Sequence, residues 1–183
     1  MKRKWLGAVV LAAAGVAACG EGRAIFNVDM LSFLQPLGED VIPYDVPGGV
    51  GPVDSTISQP FSLPPGFGKS SVDSVSVTGA ATLENTGGGG TITVDVFFAK
   101  TQAALFTGTP YASASSGHVT GANTVPFLFP TTVTLNDTLF NTSSLWIGLR
   151  ASITTDPPLA THMTGQVRLT QLSARIVLSE KIF

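Results

Sequence analysis

The chain has 183 residues, carries a formal charge of −2 and holds one cysteine. Three of its ten basic residues, Lys2, Arg3 and Lys4, fall in the first 18 positions, and none of the twelve acidic ones does, so residues 19–183 carry −5. That balance argues against nucleic acid as a partner and against an electrostatic grip on anionic lipid, and the lone cysteine excludes an internal disulfide.

The first stretch, "MKRKWLGAVVLAAAGVAAC", pairs a positive start with an uncharged run of about 14 residues from Trp5 to Ala18. A spanning helix needs about 20 apolar residues. The run is therefore too short to cross a bilayer, but it suits the apolar region of an export signal. Small residues Ala17 and Ala18 lead directly into Cys19, after the aliphatic Val16.

In these four positions, Val16-Ala17-Ala18-Cys19, the chain resembles bacterial lipoproteins. The resemblance covers residues 1–19 and implies a signal peptide over 1–18, removed before the cysteine. It further implies a diacylglyceryl group on the Cys19 thiol and an acyl chain on the new N-terminus. Two or three chains hold a domain firmly where one is marginal, since each buried methylene contributes roughly 0.8 kcal/mol. No cofactor is expected beyond that covalent lipid. The implied place is the cell envelope. Gly20 stands where many inner-membrane lipoproteins of Gram-negative cells carry aspartate, so a Gram-negative source implies the outer membrane.

Residues 19–23 form a short tether, and 24–183 are long enough for one domain with a full core. "AIFNVDMLSFL" alternates through Phe26, Val28 and Met30, then changes phase to Leu31 and Phe33. "PLGEDVIPYDVPGGVGPVD" reads as a Gly/Pro-rich loop that gathers Glu39, Asp40, Asp45 and Asp54. Calcium takes several oxygen ligands from such loops, which makes these four a weak calcium candidate. The spacing fits no EF-hand. Gly68-Lys69-Ser70 resembles the tail of a P-loop, but Leu63 stands where the first glycine belongs and Pro64-Pro65 stiffens the stretch.

"DSVSVTGAATLEN" and "TITVDVFFAK" alternate strictly and flank the glycine run Gly87–Gly90. They predict a hairpin over 74–99 that pairs Leu83 with Val94 and Ala81 with Val96. In that register Glu84 and Asp95 become diagonal neighbours, near the carboxylate separation of an inverting glycosidase. Phe97 and, further on, Trp146 fall on the outward phase and form a possible binding face. The alternative is that 101–130, with Phe106, Tyr111, Phe127 and Phe129, folds over them.

Shorter strands are expected in "STISQPFSLP", "SGHVTGA" and "TTVTL", and single turns in "TQAALF" and "NDTLFN". "SLWIGLRASITT" points Leu145, Ile147, Leu149, Ala151 and Ile153 inward. "GQVRLTQLSARIVLSEKIF" changes phase between Leu169 and Leu172, as a β-bulge, or a strand bending from one sheet to another, would produce. His118 and His162 stand in polar loops and read as surface residues.

The expected fold is all-β, an antiparallel two-sheet sandwich of seven to nine strands, Ig-like or jelly-roll-like. An outer-membrane barrel fits poorly. Counting back by twos from Phe183 meets Lys181 and Ser179 where a lipid-facing row needs apolar residues, and aromatic residues for two girdles are few. No catalytic residue is assigned. The expected function is a lipid-anchored, non-enzymatic interaction or structural module with a protein or glycan partner. A carbohydrate-binding module, or an envelope hydrolase using His118 or His162 beside a carboxylate in a cleft, are the competing readings.

Overall fold

The computed structural model describes residues 23–63, 71–158 and 161–179. The signal peptide, Cys19 and the Gly68-Lys69-Ser70 motif lie outside the described residues. Nine strands occur among the described residues: β1 (Arg23–Asp29), β2 (Val41–Pro47), β3 (Val53–Ser62), β4 (Ser71–Gly87), β5 (Gly89–Ala99), β6 (Ala112–Thr120), β7 (Asn123–Leu135), β8 (Ser144–Thr155) and β9 (His162–Ser179). One helical turn, α1 (Leu31–Leu34), joins β1 to β2.

The pairing is nested. β5 pairs with β6, β4 with β7, β3 with β8 and β2 with β9, all antiparallel. The chain thus runs out and back as one long ribbon. Rolling that ribbon adds the pairs β4·β9 and β5·β8. Two sheets result, one ordered β1-β9-β4-β7 with β2 also on β9, the other β3-β8-β5-β6. Nested pairing of this kind is the jelly-roll arrangement and differs from the immunoglobulin order. The fold is an all-β, two-sheet antiparallel sandwich. Among the described residues no helix is long and apolar enough to cross a membrane.

The hairpin expected over 74–99 does not form. β4 lies in the first sheet and β5 in the second, so Leu83 and Val94 each face the core from opposite layers. Alternation alone cannot distinguish these cases, because an apolar row looks the same whether its partner lies beside it or across the core. The glycines make the crossing. At Gly88 (φ +69°) a Cβ would come within 2.2 Å of the His162 carbonyl oxygen, and at Gly90 (φ +155°) within 2.2 Å of that of Thr154. No side chain fits either position.

The phase change in β9 occurs as expected, whereas the one expected after β1 does not turn Phe33 inward. In β9 the pairing with β4 skips a residue between Leu169 and Gln171, which leaves Thr170 and Gln171 exposed and returns Leu172 to the core. This is a bulge. After β1 the period itself changes. Met30 and Leu34, four residues apart, are both buried through α1, while Phe33 turns outward. β2 lies where a loop was expected. Its Ile42, Tyr44 and Val46 alternate into the core, and Pro43 and Pro47 are tolerated because the strand lies at a sheet edge. The single turns at Gln102–Ala104 and Thr138–Phe140 occur as expected.

Candidate functional site

The long strands give the sandwich two ends. β1 starts at one, where Arg23 and Ser71 both pair with Ser179. The glycine crossing, Thr155 and His162 lie at the other. β9 has 18 residues, so the ends stand on the order of 55 Å apart at ~3.3 Å per residue.

At the glycine end, buried Asn85 is a hub. The Tyr44 hydroxyl donates to its Oδ1 at 2.9 Å, and its Nδ2 donates to the carbonyls of Gly88 at 3.2 Å and Gly121 at 2.6 Å. Burial pushes the Tyr44 phenol up to about 12. Tyr111 is raised as well, first by burial and then by its hydrogen bond to and the charge of Asp137. These are the chain's two tyrosines. An absorbance titration at 295 nm should therefore find neither ionised at the ordinary value near 10. A phenol whose pKa rises on folding contributes stability that is complete below its unfolded value, about 10, and is lost as pH climbs through the folded value. Stability should therefore fall between pH 10 and about 12 for Tyr44. A normal step at pH 10 in the native protein would contradict the burial of both rings.

The structure places each histidine beside a carboxylate. His118 Nε2 lies 2.9 Å from Asp156 Oδ2, and His162 Nδ1 lies 2.6 Å from Asp45 Oδ1. Gly89 leaves the room, since a Cβ there would sit 2.4 Å from Asp156 Oδ2. A carboxylate that orients an imidazole is half of a general-base arrangement. Among the described residues no hydroxyl hydrogen-bonds either ring, and all four side chains are well exposed. What the geometry supports is a pair of rim ion pairs.

The calcium candidate disperses. Asp45 lies on β2 against His162, and Asp54 on β3 in the other sheet accepts from the Ser152 hydroxyl. Asp40 lies 3.8 Å from Arg168, and burial raises the Glu39 carboxyl. Among the described residues no three acidic, histidine or cysteine side chains converge on one point. The cause is that only Asp45 lies in β2, while Glu39 and Asp40 precede that strand and Asp54 lies on β3 in the other sheet. Glu84 and Asp95 also part company, on different sheets. Glu84 accepts from Gln166 Nε2 at 2.5 Å, and Asp95 accepts from Arg150 Nη2 at 2.7 Å.

Phe97 is 1% exposed, so it presents no platform to solvent. The segment between β5 and β6 straps across the outer face of the second sheet. It seats Leu105 beside Phe97 and sets the Phe106 ring edge-on to the Phe97 ring at 5.3 Å. The Arg150 guanidinium caps the stack 4.8 Å from the Phe97 ring centre, a favourable cation–π placement. Trp146 packs partly buried into the same cluster. Of the aromatics expected to provide cover, only Phe106 does. Phe127 and Phe129 point into the main core from β7, and Tyr111 packs on Phe98 and Phe140.

Gly148 makes the strap possible, because a Cβ there would meet Leu105 Cδ2 at 2.6 Å. Gly148→Val should displace the strap and cost about 1–3 kcal/mol by overpacking. Trp146 is the sole tryptophan of residues 19–183, so its emission should shift to the red. Unchanged emission and stability would contradict the seating.

The surface that sequence reasoning missed is the outer face of the first sheet at the β1 end. An open groove of about 370 Å³ runs there between Arg23 and Ile25 of β1, Asp73 and Ser74 of β4, Leu135 of β7, and Arg175 and Val177 of β9. Arg23 lies 3.6 Å from Asp73. Apolar side chains continue along β7, with Leu135 69%, Val133 57% and Leu128 76% exposed, while Ile25 across the groove is 40% exposed. Its only signal in the sequence is apolar residues on the polar phase of separate strands.

No protein-family model matches the chain, and no curated protein does. Solved structures of infectious bursal disease virus are similar in outline. A chain of the Gx strain matches with a TM-score of 0.49 at 13% identity, covering 97% of this chain and 37% of that one. The Gt strain gives 0.44 at 15% identity over 97% and 39%, and the VP2 subviral particle 0.44 at 13% over 95% and 42%. This chain thus spans about two-fifths of theirs. The likeness concerns the sandwich and nothing of its use.

Proposed function

We propose that the chain is a lipid-anchored cell-envelope protein whose sandwich works by binding or structural association close to the membrane, without catalysing a reaction. Cys19 carries the diacylglyceryl and acyl chains, and in a Gram-negative source the protein belongs to the outer membrane. The observation that supports the reading most is the position of the first described strand. β1 opens at Arg23 and is paired along its whole length with β9. Only Gly20, Glu21 and Gly22 stand between the lipobox cysteine and the first described strand. Those few residues bridge at most about 14 Å, so the fold rides directly on its anchor. The partner is a protein or glycan of the envelope held at that height.

A twenty-residue Gly/Ser insertion after Gly22 should therefore weaken co-purification with envelope partners, because a long flexible tether dilutes the domain away from the surface. The loss should approach tenfold or more in recovered partner. Unchanged recovery would contradict a function tied to that height.

A further inference from the structure

We infer that the outer face of the first sheet at its β1 end, the groove between Arg23, Arg175 and Leu135, lies against the lipid surface, so that the domain reclines on the membrane instead of standing on its end. The inference rests on the lipid anchor proposed above, and three observations carry it.

The first is reach. Arg23 is both the first residue of β1 and a wall of the groove. It follows Cys19 by four positions, so a lipidated cysteine holds the groove within about 14 Å of the bilayer. Confinement at that distance makes even a weak contact persistent, since the second binding event is intramolecular.

The second is chemistry. Ile25, Leu128, Val133 and Leu135 are exposed on one face of the first sheet. Such a patch calls for an apolar neighbour. Arg23 and Arg175 edge it with guanidiniums, which suit the phosphate level of a lipid headgroup layer. Among the described residues Arg175 has no carboxylate within ion-pair distance, in contrast to Arg23 beside Asp73. A net negative domain gains nothing from long-range attraction to anionic lipid, so the contact is short-range and depends on the tether.

The third is the poverty of the alternatives. The apolar part of the outer face of the second sheet, around Phe97, is covered by its own strap, and the glycine end lies at the opposite extremity of β9. Edge-to-edge pairing with a second copy through β7 is hindered by Pro126 and Pro130, which remove two donors from that edge.

The test uses the full chain, processed in cells and reconstituted in vesicles of phosphatidylethanolamine and phosphatidylglycerol, with a fraction of headgroup spin-labelled lipid. Cys19 is the only native cysteine, and lipidation consumes its thiol, so an introduced cysteine gives a unique fluorophore site. Three positions are compared: Val133→Cys on the proposed face, Ser113→Cys on the outer face of the second sheet, and Ala122→Cys at the glycine end. Quenching at 133 should exceed that at 113 and 122 several-fold. Adding Leu135→Asp and Arg175→Glu should bring quenching at 133 down to the level at 113, while flotation with vesicles and Trp146 emission stay unchanged. Equal quenching at all three sites in floating protein overturns the reclined orientation and leaves the anchor standing. Energy transfer between differently labelled copies at 133, without lipid quenching, assigns the face to a second copy and overturns it too. Failure to float with vesicles overturns the anchor, and this inference with it.

Discussion

Val94→Asp should destabilise the sandwich by about 3–5 kcal/mol, whereas Thr93→Asp, one residue away, should stay within about 1 kcal/mol. Val94 is 0% exposed, at the centre of β5 between Ala151 of β8 and Ala114 of β6. A carboxylate there would meet only apolar neighbours and no hydrogen-bond donor, so it would have to bind a proton or drag water inward. Thr93 points the other way, between Ser152 and Ser115 on the outer face of the second sheet, and is partly exposed. Denaturant titration of the two variants measures the difference directly. Similar midpoints would mean that β5 does not present Val94 to the core.

Cys19→Ser should abolish acylation and leave an unprocessed precursor. Serine supplies no thiol for the diacylglyceryl transfer, so the signal over 1–18 should remain uncleaved and metabolic acyl labelling should vanish. The effect is large because the anchor is a sum over methylenes: dozens of them at roughly 0.8 kcal/mol each give way to none. The groove contact inferred above cannot replace it, being effective only while the tether confines it. Retained acyl label on the serine variant would place the lipid elsewhere and contradict the lipobox reading.

Period-two alternation made most of the strands legible, and the phase change in β9 marked the place of an irregularity that the pairing with β4 shows to be a bulge. What alternation does not carry is partnership. β4 and β5 read as a hairpin because four glycines between two alternating runs suit a turn as well as a crossing between sheets. The difference lies in contacts of Gly88 and Gly90 with residues more than sixty positions away. β2 was hidden by Pro43, Pro47 and Asp45, which look like loop chemistry unless the strand is known to lie at an edge. With β2 misread, the acidic residues seemed to gather where the fold in fact spreads them.

The side-chain partnerships at the glycine end were illegible for the same reason. His162 meets Asp45 across 117 positions and His118 meets Asp156 across 38. Register brings them together, and register depends on the rolled ribbon as a whole. The apolar groove is an extreme case, because Ile25, Leu135 and Val177 are each an unremarkable single residue on three different strands. Burial of Phe97 was foreshadowed by the long aromatic segment after β5, although only Phe106 of that segment serves as the cover.

The proposed lipid on Cys19, which would hold this sandwich at the envelope surface, is tested by intact-mass analysis of the wild-type protein extracted from membranes. The expected chain begins at Cys19 and carries the added mass of a diacylglyceryl group, with a further acyl chain on the amino group. A mature chain that begins elsewhere, or begins at Cys19 with no added mass, would contradict it.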